Sequence, residues 1–174
     1  MEVPGGFPLE DDTVAREVGE RLLERGEKMA ISETTAGGLI SARILSVPGA
    51  SQWFDGGLVP YSGAHKWEQL GLDREIARAQ GAVSPEWVRA TAEGMRRATG
   101  TAWAIAESGI AGPQGSRRSP KPVGSVTIAV AGPSGTVARE FLFPGTRVEV
   151  MRQISQQALE MLRQALEDQR PETR

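Results

Sequence analysis

The segment 101–143, TAWAIAESGIAGPQGSRRSPKPVGSVTIAVAGPSGTVAREFLF, decides the fold class. Its first six residues, 101–106, are apolar and predict a buried central strand. A loop rich in glycine and proline follows at 109–122. Residues 123–131 and 136–143 then predict a β-hairpin around the turn Gly-Pro-Ser-Gly. This segment therefore predicts a central strand followed by an antiparallel hairpin.

Helical signals surround this segment on both sides. Asp11 or Asp12 is a candidate cap for a first helix that ends at Gly26, and Ser84 with Pro85 marks the start of a helix running to Gly100. Further helices are predicted after Gly37-Gly38, through 67–70 and over 147–166, and short strands over 29–31 and 57–61. Strands mixed with helices and a late hairpin predict an α/β fold, a three-layer α/β/α sandwich with a mixed sheet.

The chain shows no internal repeat and no linker that would divide it. We expect a flexible segment at 1–10, which is rich in proline and glycine, and a frayed tail at 169–174. Between them, residues 11–168 are predicted to form a single domain.

Composition excludes several classes of function. The 20 basic and 22 acidic side chains give a net charge of −2, which disfavours sequence-independent nucleic-acid binding. Cysteine is absent and His65 is the one histidine, so thiol chemistry and a zinc site with several imidazoles are excluded. We expect no metal, no membrane partner and a cytoplasmic location, because the sequence offers no acidic metal loop, signal peptide or long apolar run.

The segment Ser32–Gly38, SETTAGG, stands at a strand-to-helix junction. Such a turn exposes hydroxyls and backbone amides together, so it can hold an anion or an oxyanion. The alternative is that Thr34 or Thr35 merely caps the helix.

Two later segments carry further candidates. In YSGAHK (61–66), Lys66 is a candidate base if its pKa is depressed, and the alternative is a solvated helix lysine. In the loop 108–116, closely spaced glycines allow a ligand to approach the backbone, and the alternative is a flexible loop. The basic residues that follow, Arg117, Arg118 and Lys121, either attract a phosphate or face water.

Arg147 lies in the first turn of the last predicted helix. A cation at that end opposes the helix dipole, so this position favours contact with an anion. The alternative is a surface ion pair with Glu149 or a neighbouring acid.

Several of these motifs together resemble the CinA C-terminal family of nicotinamide-nucleotide amidases. The family's Ala-Glu-Ser-Cys-Thr-Gly-Gly stretch corresponds to 32–38, and its Val-Pro-Gly-Ser-Ser motif corresponds to 47–51. Its Tyr-Ser…Lys element is matched by Tyr61, Ser62 and Lys66, and GAVS at 81–84 also fits. GIAGP at 109–113 and KPVG at 121–124 are the most specific pieces.

The resemblance implies hydrolysis of the carboxamide of nicotinamide mononucleotide to nicotinic acid mononucleotide and ammonia. It places Thr34 at the nucleophile position and Lys66 as the base, with Tyr61 and Ser108 also catalytic. It further implies that substrate is bound by Thr35, Gly37, Gly38, Gly109, Gly112 and Arg147, the last through the nucleotide phosphate. No cofactor or metal is implied, and the expected partners are a pyridine nucleotide and a second copy of the chain in a homodimer.

The chain departs from the family pattern around this site. Thr34 replaces a serine, Ala36 replaces a threonine, Glu107 adds a carboxylate beside Ser108, and Thr146 replaces an aspartate. These changes leave three hypotheses open: an amidase for nicotinamide mononucleotide, a nucleotide-binding relative that has lost efficient catalysis, and a hydrolase for another amide. The four tryptophans, at 53, 67, 87 and 103, are predicted to be either core or interface residues.

Overall fold

The structure, a computed structural model, describes residues 12–114 and 119–169. The segment 1–10 and nearly all of the tail expected at 169–174 lie outside those ranges. The described elements, in chain order, are α1 (Thr13–Arg25), β1 (Met29–Ser32), α2 (Leu39–Leu45), a 3-10 turn (Ala50–Gln52), β2 (Phe54–Leu58), α3 (Gly63–Leu70), α4 (Arg74–Gln80), α5 (Pro85–Thr99), β3 (Trp103–Gly109), β4 (Ser125–Gly132), β5 (Gly135–Leu142) and α6 (Arg147–Asp168).

The strands form one sheet in the order β2-β1-β3-β4-β5. Strand β1 runs parallel to both β2 and β3, whereas β4 is antiparallel to β3 and β5. Helices α1, α2 and α6 pack together on one face of the sheet. Helix α5 covers the other face, and α3 and α4 pack against α5. The predicted three-layer α/β/α sandwich with a mixed sheet is confirmed.

Side-chain size differs between the two faces of the sheet. Because successive side chains of a strand point to opposite faces, each strand contributes to both layers. The face toward α1, α2 and α6 carries large residues, namely Met29, Ile31, Trp103, Ile105, Ile128 and Val130. The face toward α5 carries alanines, namely Ala30, Ala104, Ala106, Ala129 and Ala131. Small side chains on this second face allow α5 to lie close to the sheet.

Local capping signals explain where α5 begins and ends. The Ser84 hydroxyl accepts a hydrogen bond from Trp87 N at 3.2 Å, Pro85 occupies the first turn, and Gly100 ends the helix with φ of 70°. Both predicted ends are therefore confirmed. By contrast, α4 was not predicted, because none of its residues is buried and it has no apolar stripe. The strand predicted at 57–61 was placed too late, since β2 begins at Phe54.

A buried ion pair joins the three helices of one layer. Asp12 is the N-cap of α1, where it accepts a hydrogen bond from Ala15 N at 3.1 Å, and its carboxylate pairs with Arg43 of α2. Arg43 also donates to Ser155 Oγ at 3.1 Å and to Gln156 Oε1 at 2.7 Å, both on α6. Burial raises the pKa of Asp12, but the hydrogen bonds and the positive charge of Arg43 outweigh it and hold that pKa below its ordinary value.

Three of the four tryptophans belong to the core. Trp53, Trp87 and Trp103 are each no more than 1% exposed. The side chain of Trp67, on α3, lies outside what the structure describes. The core interpretation is therefore confirmed for these three residues.

Candidate functional site

A cleft opens where the carboxyl ends of two neighbouring parallel strands meet. Strands β1 and β3 are adjacent, so the residues at their ends, Thr34 and Thr35 on one side and Ser108 and Gly109 on the other, line the same cavity. The cavity has a volume of about 370 Å³, which lies within the usual range for small-molecule sites. The remaining lining residues are Tyr61, Ala82, Val83, Ile110, Ala111, Gly112, Pro113, Gln114, Ser119 and Arg147.

Seven of the residues that the sequence analysis singled out therefore share one cleft, listed as Thr34, Thr35, Tyr61, Ser108, Gly109, Gly112 and Arg147. Gly37 and Gly38 do not line it. Gly38 is the N-cap of α2, with φ of 98°, and the exposed Gly37 has φ of 66°, so both serve the tight turn into the helix. The structure does not bring these two glycines to the cavity.

The N-terminus of α2 is capped by a buried glutamate. Glu33 is fully buried, and its Oε2 accepts hydrogen bonds from Gly38 N at 2.9 Å and Ile40 N at 3.0 Å. Its Oε1 accepts from Ser41 N at 2.8 Å and from the Ser41 hydroxyl at 2.6 Å. Capping was the right alternative for this segment, but its assignment to Thr34 or Thr35 was wrong. Glu33 fills the role because the N-cap itself is a glycine without a side chain.

A second buried glutamate binds the turn that carries Thr34. Glu107 Oε1 accepts hydrogen bonds from the backbone amides of Thr34, Thr35 and Ala36 at 2.5, 2.6 and 2.9 Å. The sequence of this turn predicted that these amides would bind an anion or an oxyanion of a ligand. That expectation was wrong, because a carboxylate from β3 already occupies them.

The three hydroxyls at the Thr34 end of the cleft differ in their hydrogen bonds. Thr35 Oγ1 donates to the carbonyl of Gly109 at 3.1 Å, which links the two strand ends. Thr34 Oγ1 is shielded from solvent and has no hydrogen-bond partner among the described residues. Ser108 lines the cleft, and its side chain likewise makes no hydrogen bond within the described part of the chain. Two of the three hydroxyls are thus uncommitted.

The loop glycines are required by packing. A side chain at Gly109 would place its Cβ 2.7 Å from Val126 Cγ2, and one at Gly112, where φ is 74°, would lie 2.5 Å from Val123 Cγ1. Both glycines line the cleft, but their missing side chains make room for β4 and for the segment that precedes it. The predicted benefit to ligand approach is therefore not needed to explain these residues.

Arg147 projects across the cleft from the first turn of α6. Its Nη1 donates to the carbonyl of Gly112 at 2.9 Å, and its Nη2 lies 3.5 Å from the Tyr61 hydroxyl. No carboxylate of the described residues pairs with it. An arginine with neutral partners, at the positive end of a helix, favours an anion in this part of the cleft.

The alternative of an ion pair between Arg147 and Glu149 was wrong. Glu149 instead forms a capping box with Thr146, because its Oε2 accepts from Thr146 N and from the Thr146 hydroxyl, each at 2.7 Å. The hydrogen bonds from Thr146 hold the pKa of Glu149 below its usual range. Thr146 thus has a structural role as the N-cap of α6.

Lys121 is already paired. Its ammonium donates to the carbonyl of Val83 at 2.5 Å and to Glu140 Oε1 at 2.6 Å, so it joins the loop before α5 to strand β5. Lys121 therefore neither stands ready to bind a phosphate nor simply faces water, the two alternatives that its sequence left open. Arg117 and Arg118, the other members of that basic run, lie outside the described residues.

Lys66, the candidate base, lies on α3, and its side chain is outside what the structure describes. Its neighbour His65 is exposed on the same helix. Tyr61 is 68% exposed just before α3. The segment 61–66 therefore borders the cleft through Tyr61.

The described ranges show neither a cluster of metal ligands nor a membrane-spanning helix. No group of three or more histidine, aspartate or glutamate side chains is arranged there to hold a metal ion. None of the described helices is long and apolar enough to cross a membrane.

Comparison with known proteins identifies relatives along almost the whole chain. A model of the CinA C-terminal domain matches residues 11–166. A CinA-like protein of Anaeromyxobacter sp. (strain K) is 46% identical over 155 residues, which are 89% of this chain and 38% of that protein. A CinA-like protein of Frankia casuarinae is 38% identical over 90% of this chain and 36% of its own length. The chain thus spans little more than a third of these curated relatives.

Solved structures give the same result. A CinA superfamily protein of Klebsiella pneumoniae superposes with a TM-score of 0.85 at 26% identity, covering 89% of this chain and 96% of that one. The competence/damage inducible protein CihA of Agrobacterium tumefaciens superposes with a TM-score of 0.83 at 31% identity, covering 96% and 99% of the two chains.

Proposed function

The chain belongs to the CinA C-terminal domain family, and from that premise we propose that it hydrolyses the carboxamide of nicotinamide mononucleotide, giving nicotinic acid mononucleotide and ammonia. The observation that carries the proposal is the cleft itself. It brings together the hydroxyls of Thr34 and Ser108 and the guanidinium of Arg147, which lies beside Tyr61 and pairs with no carboxylate of the described residues. Nicotinamide mononucleotide has a neutral carboxamide on its base and a phosphate at the other end, which matches these two sets of groups.

Binding follows from the charges. Arg147 supplies a planar pair of N–H donors, which suits a phosphate, and the dipole of α6 adds to the attraction. The carboxamide then lies toward Thr34 and Ser108. Because a carboxamide both donates and accepts hydrogen bonds, the uncommitted hydroxyls of these two residues can bind it.

The proposed reaction uses Thr34 as the nucleophile. Thr34 Oγ1 attacks the carbonyl carbon, its proton passes to Lys66, and the electron pair of the C=O bond moves to the oxygen. Collapse of the tetrahedral intermediate breaks the C–N bond, and Lys66 returns the proton to the departing nitrogen, which leaves as ammonia. Water then cleaves the threonine ester, which yields the acid and restores the hydroxyl.

The oxyanion of that intermediate needs donors other than the Thr34 turn. The amides of residues 34–36 are bound to Glu107, so they cannot turn toward the substrate without losing those bonds. Ser108 supplies an uncommitted hydroxyl among the cleft residues of the part of the chain described, and we assign it this role.

The proposal is tested by incubating the purified chain with nicotinamide mononucleotide and measuring ammonia and the acid product. We expect the two products in equal amounts, a loss of at least about 10²-fold in the Ser108→Ala variant, and release at background level in Lys66→Ala. An Arg152→Met variant, altered on the same helix at an exposed position, should retain the activity. Wild-type release no greater than that of Lys66→Ala contradicts the proposal.

One observation favours a second candidate, a nucleotide-binding protein without efficient catalysis. Thr34 Oγ1 is shielded from solvent, and a threonine has fewer accessible χ1 rotamers than a serine. In this case calorimetry detects binding of the mononucleotide while ammonia release stays at background. Restoration of release by Thr34→Ser then assigns the loss to the methyl group of Thr34.

A further inference from the structure

Resting on the proposed function, we propose that Glu107 is a specificity-determining residue. It makes the Thr34 end of the cleft accept a neutral carboxamide and reject the carboxylate that hydrolysis produces. Product is then released from a site that disfavours it electrostatically.

The position of Glu107 places a carboxylate directly behind the reacting end of the cleft. Glu107 precedes Ser108 in β3 and is completely buried, whereas Ser108 lines the cavity. Its Oε1 lies 2.5 Å from Thr34 N, the amide of the residue at the nucleophile position. A ligand group that touches the hydroxyls of Thr34 and Ser108 therefore contacts one residue whose backbone amide binds this carboxylate and one that follows Glu107 in the chain.

The hydrogen bonds that Glu107 accepts favour its carboxylate form, and they also occupy the donors that an anionic ligand would need. An oxygen that accepts three backbone amides is stabilised as the carboxylate. The same amides are the anion-binding group that a strand-to-helix turn ordinarily offers. In this chain the internal carboxylate competes for them, so a second carboxylate finds repulsion in place of a binding site.

Substrate and product differ in the charge of the group that would lie near Glu107. The carboxamide of the mononucleotide is neutral, and hydrolysis replaces its nitrogen by an oxygen and leaves one negative charge. The phosphate is the same in both molecules, so Arg147 attracts both through it. Discrimination therefore arises at the Thr34 end.

Glu33 offers a matched control. It is equally buried, it precedes Thr34 in the same turn, and it also accepts backbone amides, those of Gly38, Ile40 and Ser41. Neither carboxylate itself lines the cavity. However, Glu33 binds amides at the start of α2, whereas Glu107 binds the amides of Thr34 and Thr35, which do line it. A neutral glutamine at either position should loosen the turn, but only at Glu107 should it change the choice between amide and acid.

The experiment measures, by calorimetry, the dissociation constants of nicotinamide mononucleotide and nicotinic acid mononucleotide for the wild type, Glu107→Gln and Glu33→Gln. We expect the wild type to bind the amide at least about tenfold more tightly than the acid. The ratio should fall at least fivefold in Glu107→Gln and stay within twofold of the wild-type value in Glu33→Gln. Circular dichroism establishes that each variant is folded.

Three outcomes overturn the inference alone, and a fourth overturns it together with the proposed function. Equal binding of amide and acid by the wild type does so even if Glu107→Gln fails to fold. A wild-type ratio that persists in folded Glu107→Gln, or one that falls equally in Glu33→Gln, assigns Glu107 a purely structural role. In these cases the proposed function stands. Binding of neither nucleotide by the folded wild type removes the proposed function and the inference together.

Discussion

Two buried glutamates hold neighbouring parts of one turn, and they do so over very different distances along the chain. Glu33 binds the start of α2 from five to eight residues away, at Gly38, Ile40 and Ser41. Glu107 binds the amides of residues 34–36 from 71 to 73 residues away. The first is a local helix cap. The second joins the ends of β1 and β3 and so shapes the cleft.

The difference shows that the backbone amides of one turn can serve two purposes: some stabilise a helix start, and others position residues of the cleft. The donors of Glu33 lie at the start of α2, a helix that packs on one face of the sheet. Two of the three donors of Glu107, the amides of Thr34 and Thr35, belong to residues that line the cavity. Removing either carboxylate leaves backbone amides without partners. We expect that only the loss of Glu107 also changes which ligands the cleft binds.

The largest effect on stability is expected for Glu107→Ala. Three backbone amides lose their acceptor, and two of them, those of Thr35 and Ala36, are buried. Each unsatisfied donor costs about 1–3 kcal/mol. We expect the free energy of unfolding in urea to fall by about 4 kcal/mol. A loss below about 1 kcal/mol would mean that water or a rearranged turn replaces the carboxylate.

Asp12 extends the comparison with the two glutamates, because this acid is bound by the positive charge of Arg43 as well as by a backbone amide. Asp12→Asn leaves Arg43 buried without its carboxylate, which should lower the free energy of unfolding by about 3 kcal/mol. Because the folded pKa of Asp12 is below its ordinary value, its contribution is present above about pH 4 and is lost as the pH falls through the lower folded pKa.

Urea titrations at a series of pH values check this second prediction. The wild type should lose stability relative to Asp12→Asn as the pH falls below about 4, so that the two curves converge. Parallel curves across this range would contradict the assignment of the acid sensitivity to Asp12.

A smaller effect is expected for Glu33→Ala. It removes the cap of α2, where two of the three bound amides, those of Gly38 and Ser41, are only partly buried, and loss of a helix cap costs about 0.5–2 kcal/mol. We expect a loss of about 2 kcal/mol, less than that of Glu107→Ala, measured in the same urea titration. The reverse order would mean that the helix start is the more important of the two regions.

The smallest effect is expected where a hydroxyl has no partner to lose. Thr127, on β4, is fully buried, and its Oγ1 has no hydrogen bond among the described residues. Thr127→Val keeps the shape and removes an unsatisfied polar atom, so the melting temperature should stay the same or rise, with a gain of up to about 1 kcal/mol. A clear drop would indicate a hydrogen bond to a buried water.

Local signals predicted much of the fold, and contacts distant in sequence determined the rest. Ser84, Pro85 and Gly100 fixed α5 because caps act within a few residues. Helix α4 has no buried residue, so its sequence shows no hydrophobic periodicity from which a helix could be predicted. The sequence motifs also located most of the cleft residues, but the acceptor for the amides of 34–36 lies on β3 and became visible only with the strand order.

The structure of the chain in complex with nicotinamide mononucleotide tests the central claim most directly. The account predicts the phosphate on Arg147 and the carboxamide carbon about 3–3.5 Å from Thr34 Oγ1, the distance at which a nucleophile attacks. The Glu107 carboxylate should remain on the three amides in that complex. A phosphate or carboxamide bound to those amides, with Glu107 displaced, would contradict the account.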